Sequence, residues 1–529
     1  MNPLIVCRAK KTKYINHIAE AMDRLGHIQK CYAYVAYYDD WRDYLQNDSS
    51  IEFESLFGTR EVFSKIESET ISVEEMVRIE KLYGDRQLWS LALTERWLFP
   101  QAAYPLYART PYYSQEQKTK YFALLIKQAE SIFDDHPIDC VIDFANIGIF
   151  RMALDVVAEK RGIPYYHIDS ALVQDLDKGD RFFISRRLND NYSFLEQSYQ
   201  FYLKNPDRIE EGRQYLQRFR APQSYSAYSQ WYGNETKPLS FAGNVFNRLC
   251  GFGKGMLKIG KAAVRDIRLH AKAMTNPEIK YNFSLYKSSA LLLLARHIQS
   301  FYRTTYTKFF CKRIQDAPDY KYAFMTLHMQ PEASTALMAP YEVNQLAVIE
   351  NIAKALPFDY QLLVKLNKVM IGKDTVHFLR QLQQYPNVVL VDHFAHTRSF
   401  IEHAACIVTI TGTVGFEGLL HGKKTILLGD QTMPWHRMAG VDNIKEWRNL
   451  HDAIRCAEQY KANDDELCAY LQAVHDHSFQ IERNFVWDTK FDFSLENENY
   501  RKLTQVIAEQ IVNVHNQREM HTKKPSKIA

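Results

Sequence analysis

Residues Cys406 to Asp430 read CIVTITGTVGFEGLLHGKKTILLGD. The run opens with a β-branched apolar segment, Cys406–Thr411, and turns through threonine and glycine. It continues as an apolar helical pattern at Phe416–His421 and returns to a second β-rich segment, Lys424–Asp430. Strands that lack polar alternation and are separated by crossover helices belong to a parallel sheet covered on both faces. The same order extends upstream, with strands predicted at Tyr322–Leu327, Gln361–Leu366 and Val388–Asp392 and helices at Val343–Leu356, Thr375–Tyr385 and Arg398–Ala405. A second copy occupies the N-terminal part: a strand Leu4–Cys7, a helix Tyr14–Leu25 stopped by Gly26, a strand Cys140–Phe144, a helix Phe150–Lys160 and a strand Pro164–Ile168. The expected class is α/β, with two Rossmann-like domains. The first is 1–318, including a Tyr-rich, basic helical excursion over about 205–318, and the second is 319–480; C-terminal helices over 481–517 and a disordered basic tail, 518–529, follow.

Composition narrows the class of function. Of the 529 residues 46% are apolar and 24% charged, with only 20 Gly and 17 Pro, which excludes disordered and collagen-like chains. A net charge of +4 over this length calls for no nucleic-acid partner. The N-terminus lacks the order of a secretory signal, and the longest aliphatic cluster, Ala290–Ala295, is far shorter than the ~20 residues that cross a bilayer. Eight scattered cysteines without a C-x-x-C pair fit reduced thiols in a cytoplasm. No cofactor and no essential metal is expected; Asp175-x-Asp177 fits a solvated turn better than a metal pair.

In open parallel sheets, ligands bind beyond the carboxyl ends of the strands, so the residues just after each strand carry the chemistry. After Cys406–Thr411 come Thr411, Gly412, Thr413 and Gly415 at a helix entry. Small residues, hydroxyls and unbonded backbone N–H groups there suit a phosphate, and Glu417, placed in the first helical turn, suits ribose hydroxyls. The same residues also fit a plain tight turn with Glu417 complementing the helix dipole. The loop after Tyr322–Leu327 brings His328, Gln330 and Glu332 together. His328 can donate to phosphate or serve as acid or base, and Glu332 can orient it or bind sugar hydroxyls; a backbone-bonded loop histidine beside a solvated Glu332 is the alternative. Lys365, Asn367, Lys368 and Lys373 follow the next strand, and Asp392, His393 and His396 the one after it, where cations would balance the charge of a departing nucleotide.

Taken in order, these motifs resemble the capsule polysaccharide synthesis family, glycosyltransferases of GT-B type that include Kdo transferases. The matching residues are His328-x-Gln-Pro-Glu-x-Ser-Thr335, Asn344-Gln345 with Ile349-Glu350-Asn351-Ile352, Leu363-Val364-Lys365, Met370-Ile371-Gly372, Pro386-Asn387-Val388, and Thr411-Gly412-Thr413 through Glu417 to Gly422-Lys423. The resemblance implies two Rossmann-like domains facing across a cleft, with a nucleotide-sugar donor in the C-terminal domain. Donor-binding residues would be Glu332, Lys365, Asn367, Thr411, Gly412, Thr413, Gly415 and Glu417, and the acceptor a glycan or its lipid-linked precursor. Where the family shows Lys-x-His-Pro, this chain has Lys365-Leu366-Asn367-Lys368, so CMP- and UDP-linked donors both stay open. A GT-B mechanism also asks the N-terminal half for a carboxylate or histidine. Asp169, with His167 nearby, is the first candidate beside His328, followed by Asp143 and Glu95, although aspartates at strand ends also cap helices and make turns. A nucleotide-sugar epimerase, a polyol-phosphate transferase or a noncatalytic assembly subunit fits the same architecture.

Lys254, Lys258, Lys261, Arg265, Arg268 and Lys272 recur every three or four residues, which places them on one helical face, with Phe252, Met256, Ile259, Ala263 and Ile267 opposite. Such a helix fits an anionic inner-membrane surface, or a face packed over its own domain.

Overall fold

The apolar runs of the N-terminal part become β1 (Pro3–Arg8), β2 (Cys31–Ala36), β3 (Phe53–Gly58), β4 (Cys140–Asp143), β5 (Tyr165–Asp175) and β6 (Gly179–Ser185). Strands β3-β2-β1-β4-β5 lie side by side in parallel, and β6 adds antiparallel to β5. The computed structural model describes residues 1–8, 11–36, 40–66, 68–84, 88, 115–144, 148–175, 179–185, 193–221, 253–261, 263–264, 267–268, 290–330, 335, 338–430, 433–481 and 493–522. Because side chains alternate along a strand, β1 sends Leu4 and Val6 to one apolar layer and Ile5 and Cys7 to the other. The first layer is completed by helices Gln115–Asp135 and Ile149–Lys160, the second by helices Lys11–Arg24 and Glu498–Thr522.

The C-terminal lobe carries β7 (Tyr322–Thr326), β8 (Gln361–Lys365), β9 (Val388–Val391), β10 (Cys406–Thr409), β11 (Lys424–Leu427) and β12 (Val441–Asn443), all parallel, in the order β12-β11-β10-β7-β8-β9. The expected α/β class, with two Rossmann-like domains, is what the chain adopts. Each sheet reverses direction once, between β1 and β4 in the first lobe and between β7 and β10 in the second. There the neighbouring crossovers leave on opposite faces and open a crevice at the strand ends.

The division of the chain differs from the linear reading. Ile314 pairs with the edge strand β9, its N–H donating to Leu390 O at 2.9 Å, and the helix Ala290–Phe309 that leads to it lies beside the helix Val376–Leu382. Residues from 290 onward therefore belong with the second lobe. At the other end, β13 (Phe479–Ile481) pairs antiparallel with β6, and the helix Glu498–Thr522 packs on the first lobe, where Tyr500 Oη lies 3.0 Å from His17 Nδ1 and Tyr166 Oη 3.1 Å from His515 Nδ1. That helix runs through 518–522, which the sequence reading gave to a disordered tail; 523–529 lie outside the described residues. The lobes meet in an apolar cluster that joins Ala171, Val173 and Phe183 of β5 and β6 to Phe416, Leu419 and Trp435. Helices Ser193–Lys204 and Glu210–Arg220 extend the joint against the helix Asp464–His477, where Gly212 comes so near Cys468 that a Cβ would stand 2.2 Å from its carbonyl oxygen.

One buried ion pair holds the centre of the first lobe. Asp143 closes β4 with no exposure. Its Oδ2 accepts from Arg151 Nε at 2.6 Å and Tyr165 Oη at 2.7 Å, and its Oδ1 accepts from the Phe144 N–H at 2.7 Å. The carboxylate thus ties β4 to β5 and to the helix that follows it. Removing it takes from Arg151, 2% exposed, the carboxylate it pairs with, so Asp143→Ala should lower unfolding stability by about 3–5 kcal/mol in urea titration.

Candidate active site

The crevice between β7 and β10 is built around a helix set close against its sheet. The helix Thr413–Leu420 follows β10, and three glycines let it approach. A Cβ on Gly418 would stand 2.5 Å from Ile407 Cγ1, and one on Gly415 would stand 2.9 Å from Thr409 Cγ2 and 3.0 Å from Thr425 Cγ2. Gly412, at the N-cap, supplies no side-chain cap; its N–H donates to Thr409 Oγ1 at 2.8 Å. Thr411 and Thr413 flank it, half-buried. Glu417 sits one turn into the helix, not in its first turn as the sequence reading had it, because the helix begins at Thr413.

His328 comes to the same place from β7. A Cβ on Gly412 would lie 3.1 Å from its Cε1 and 3.3 Å from its Nε2, so glycine is what admits the imidazole to the helix start. Gln345 clamps the loop: its Oε1 accepts from the His328 N–H at 2.7 Å and its Nε2 donates to the His328 carbonyl at 3.2 Å. The ring is 7% exposed and its Nε2 has no hydrogen-bond partner among the described residues. Burial pushes its pKa down to about 4, so at neutral pH the imidazole is uncharged.

Lys365 ends β8 directly beside β7 and is equally buried. Its Nζ donates to the His393 carbonyl at 3.1 Å. Burial, then repulsion from Lys368, lowers its pKa to about 8, opposed by Asp392 and Glu417, which leaves the ammonium mostly charged at pH 7. Asp392 is itself held by Arg313 and by the Phe394 N–H, which fixes the loop after β9. Asn367 has both ends of its amide engaged: Nδ2 donates to Leu327 O at 3.1 Å and Oδ1 accepts from Val369 N at 2.9 Å. It cross-links the loops after β7 and β8 and so positions the site. Glu332 falls outside the described residues.

In the first lobe, Asp169 lies on β5 with its side chain 17% exposed and its Oδ2 3.9 Å from His167 Nδ1. Two residues further along that strand, roughly 7 Å away, Ala171 enters the apolar cluster that also contains Phe416, the neighbour of Glu417. The strand bearing Asp169 is thus anchored to the helix of the opposite crevice. Asp143 is committed to its ion pair, and Glu95 is outside the described residues. Among the described residues no three His, Cys, Asp or Glu side chains gather as a metal site.

The basic segment is helical over 253–261, and Lys254, Lys258, Lys261 and Arg268 are exposed; Arg265 and Lys272 lie outside the described residues. Leu257 at 72% and Ile267 at 71% are exposed as well, while Ile259 and Ala263 are half-buried. The segment crosses the helix Ala290–Phe309 at Gly255, where a Cβ would collide with the His297 ring.

The sequence reading passed over the role of Gln345, which stands in a motif it quoted, over Lys11, which lies against the Phe144 ring far along the chain, and over Arg151, which pairs with Asp143.

Residues 272–479 match the family described as Capsule polysaccharide biosynthesis protein, so the resemblance carried by the motifs holds over that segment. No curated protein matches the sequence. Among solved structures the chain is similar to the β-Kdo 2,7 transferase KpsC of Thermosulfurimonas dismutans, at 11% identity over 71% of this chain and 88% of that one, TM-score 0.35. It is also similar to S. aureus MnaA in complex with UDP, at 12% identity over 100% of both chains, TM-score 0.28. A third is the UDP-GlcNAc 2-epimerase of Methanocaldococcus jannaschii with UDP-GlcNAc and UDP, at 10% identity over 88% and 94%, TM-score 0.28. Likenesses this loose carry no argument about what the chain binds.

The buried imidazole has a consequence for stability. The unfolded ring takes up its proton near pH 6.5 and the folded ring only near 4, so between those values the unfolded chain binds more protons and stability falls as pH falls. The Tm should drop from pH 7 to pH 5, and His328→Gln should lessen the drop; equal drops in both proteins would show the ring is not buried as described.

Proposed function

We propose that the protein is a glycosyltransferase of capsule or related surface polysaccharide assembly, moving a sugar from a CMP- or UDP-linked donor to a glycan or its lipid-linked precursor. What supports the reading most is the convergence at one crevice of a helix start backed by glycine, an uncharged imidazole with an unsatisfied ring nitrogen and a buried lysine ammonium. Each suits the phosphate of a nucleotide. Backbone N–H groups and Thr413 hold its oxygens, Lys365 balances its charge and His328 donates a hydrogen bond as the leaving group develops negative charge. Glu417, one turn on, is left to the ribose hydroxyls. In the transfer, an acceptor hydroxyl oxygen bonds to the anomeric carbon while the bond from that carbon to the donor phosphate breaks. Asp169, beside His167, takes the hydroxyl proton, and the nucleotide leaves with the electron pair.

Among the described residues no helix is long and apolar enough to cross a membrane. The described residues of the basic segment, 253–261, 263–264 and 267–268, expose cations and large apolar side chains together, which fits a cytoplasmic enzyme resting on the anionic inner leaflet near a lipid-linked acceptor.

Titration with CMP, UDP and their sugars, read by thermal shift and calorimetry, tests the donor site. Lys365→Met should weaken the best nucleotide about 10- to 100-fold, the loss of a charge-assisted hydrogen bond. Unchanged affinity in Lys365→Met and Thr413→Val would overturn the assignment, and conversion of a UDP-sugar without any acceptor would make the protein an epimerase instead. Sedimentation with phosphatidylglycerol vesicles tests the surface. The wild type should pellet and the triple variant Lys258→Glu, Lys261→Glu, Arg268→Glu should not; equal pelleting would remove the membrane reading.

A further inference from the structure

We propose that the crevice of the first lobe, between β1 and β4, binds an oxyanion, the carboxylate or phosphate borne by the acceptor. The inference rests on the reading that this lobe takes the acceptor, and goes beyond it by giving the acceptor a negative charge.

The first observation is an unsatisfied buried atom. His167, on β5 next to β4, is 2% exposed and its Nδ1 has no hydrogen-bond partner among the described residues; Asp169 Oδ2, at 3.9 Å, is beyond hydrogen-bond distance. Buried polar atoms are nearly always paired, so one left open at a strand-end crevice marks a ligand position. The second is the arrangement of charge. Lys11 begins the helix Lys11–Arg24, where a cation opposes the helix dipole, and the first turn holds no acid to offset it. Its Nζ lies 3.9 Å from the centroid of the Phe144 ring. The second helix of the crevice, Ile149–Lys160, starts at Gly148 with no side-chain cap and no acid in its first turn. Arg8, at the end of β1, and Arg151 add two cations, while Asp143 spends its carboxylate on Arg151, Tyr165 and Phe144. Among the described residues Arg8, Lys11 and Arg151 thus gather with Asp143, Asp155 and Asp169 around two helix starts that each favour an anion, and Arg151 is already engaged by Asp143.

The titration of Lys11 agrees with this placement. Burial lowers its pKa to about 7, Arg151 and Arg8 push in the same direction and Asp143 opposes them; His167 is lowered by burial and sees Asp169, Asp143, Arg151 and Lys11. The Cys7 thiol and the Tyr165 phenol beside them are raised by burial and stay protonated. A bound anion favours the charged ammonium, so binding takes up a proton and weakens as pH rises above 7.

Calorimetry with inorganic phosphate, D-glucuronate and uncharged D-glucose tests the site on the full chain. Phosphate or glucuronate should bind while glucose does not, and which anion is preferred separates a phosphate-bearing from a carboxylate-bearing acceptor. Affinity should fall at least tenfold in Lys11→Met. Lys11→Arg should restore binding and remove the decline between pH 7 and 9, a change that a purely structural lysine would not produce. Nucleotide titration of the same variants shows that they are folded and reads the other lobe separately, so failure here with nucleotide binding intact leaves the donor assignment standing. Equal anion affinity in wild type and Lys11→Met, or anion binding lost in Lys365→Met instead, would overturn the proposal.

Discussion

The close seating of the helix Thr413–Leu420 on its sheet is the constraint from which the second lobe takes its shape. Gly415 and Gly418 bring the helix onto β10 and β11 at distances no side chain would permit, and the Thr425 hydroxyl fixes it by donating to the Gly415 carbonyl at 2.8 Å. Held there, the helix presents its first turn at the point where the strand order reverses. Gly412 then leaves just the space that the His328 ring occupies, so a packing requirement of the core and the geometry of the crevice are met by the same run of small residues. Close packing of the interior is what makes this sensitive to single methyl groups.

Around that contact, the loops are cross-braced by two side-chain amides and an ion pair. Gln345 holds the backbone of His328 from both sides, Asn367 ties the loop after β8 to the one after β7, and Arg313 and Asp392 fix the loop after β9. The groups left to act on a ligand are correspondingly few. An imidazole kept uncharged by burial and an ammonium kept charged despite it stand at neighbouring strand ends. The first lobe repeats the architecture with a different electrostatic content: its central ion pair joins Asp143 to Arg151 in the first turn of one crevice helix, and Lys11 begins the other. The two crevices thus share a topology and differ in charge, and the apolar cluster shared by β5 and Phe416 couples their positions.

Much of this was legible before any coordinates. The strands at 322, 361, 388, 406 and 424 and the helices between them stand out because β-branched runs, glycine stops and apolar helical spacing are local signals, and they reappear within a few residues of the expected bounds. Less visible were β2, β3, β6 and β12. The first three lack a flanking pattern that marks them off, and β12 is a three-residue edge strand whose existence depends on β11 lying next to it. Where the chain passes from one lobe to the other was hard to read for the same reason. Residues around 314 and 480 join a sheet by pairing with an edge already present, and nothing in their own composition says which edge.

The sequence by itself determined the class of sheet, the positions of the phosphate-suited turn and of the loops bearing His328 and Lys365, and the residue types available there. Periodicity, propensity and turn chemistry act over a handful of neighbours, so they can be read along a line. Tertiary structure alone decided the strand order, and with it that His328 meets Gly412, that Asn367 braces two loops, that Asp143 is sealed with Arg151, and that Lys11 shares a crevice with His167. Apart from Asp143 and Arg151, which are eight residues apart, these pairings join residues far apart in the chain. They follow from which strands lie adjacent, a choice made by burying the whole apolar surface at once rather than by any local run of residues.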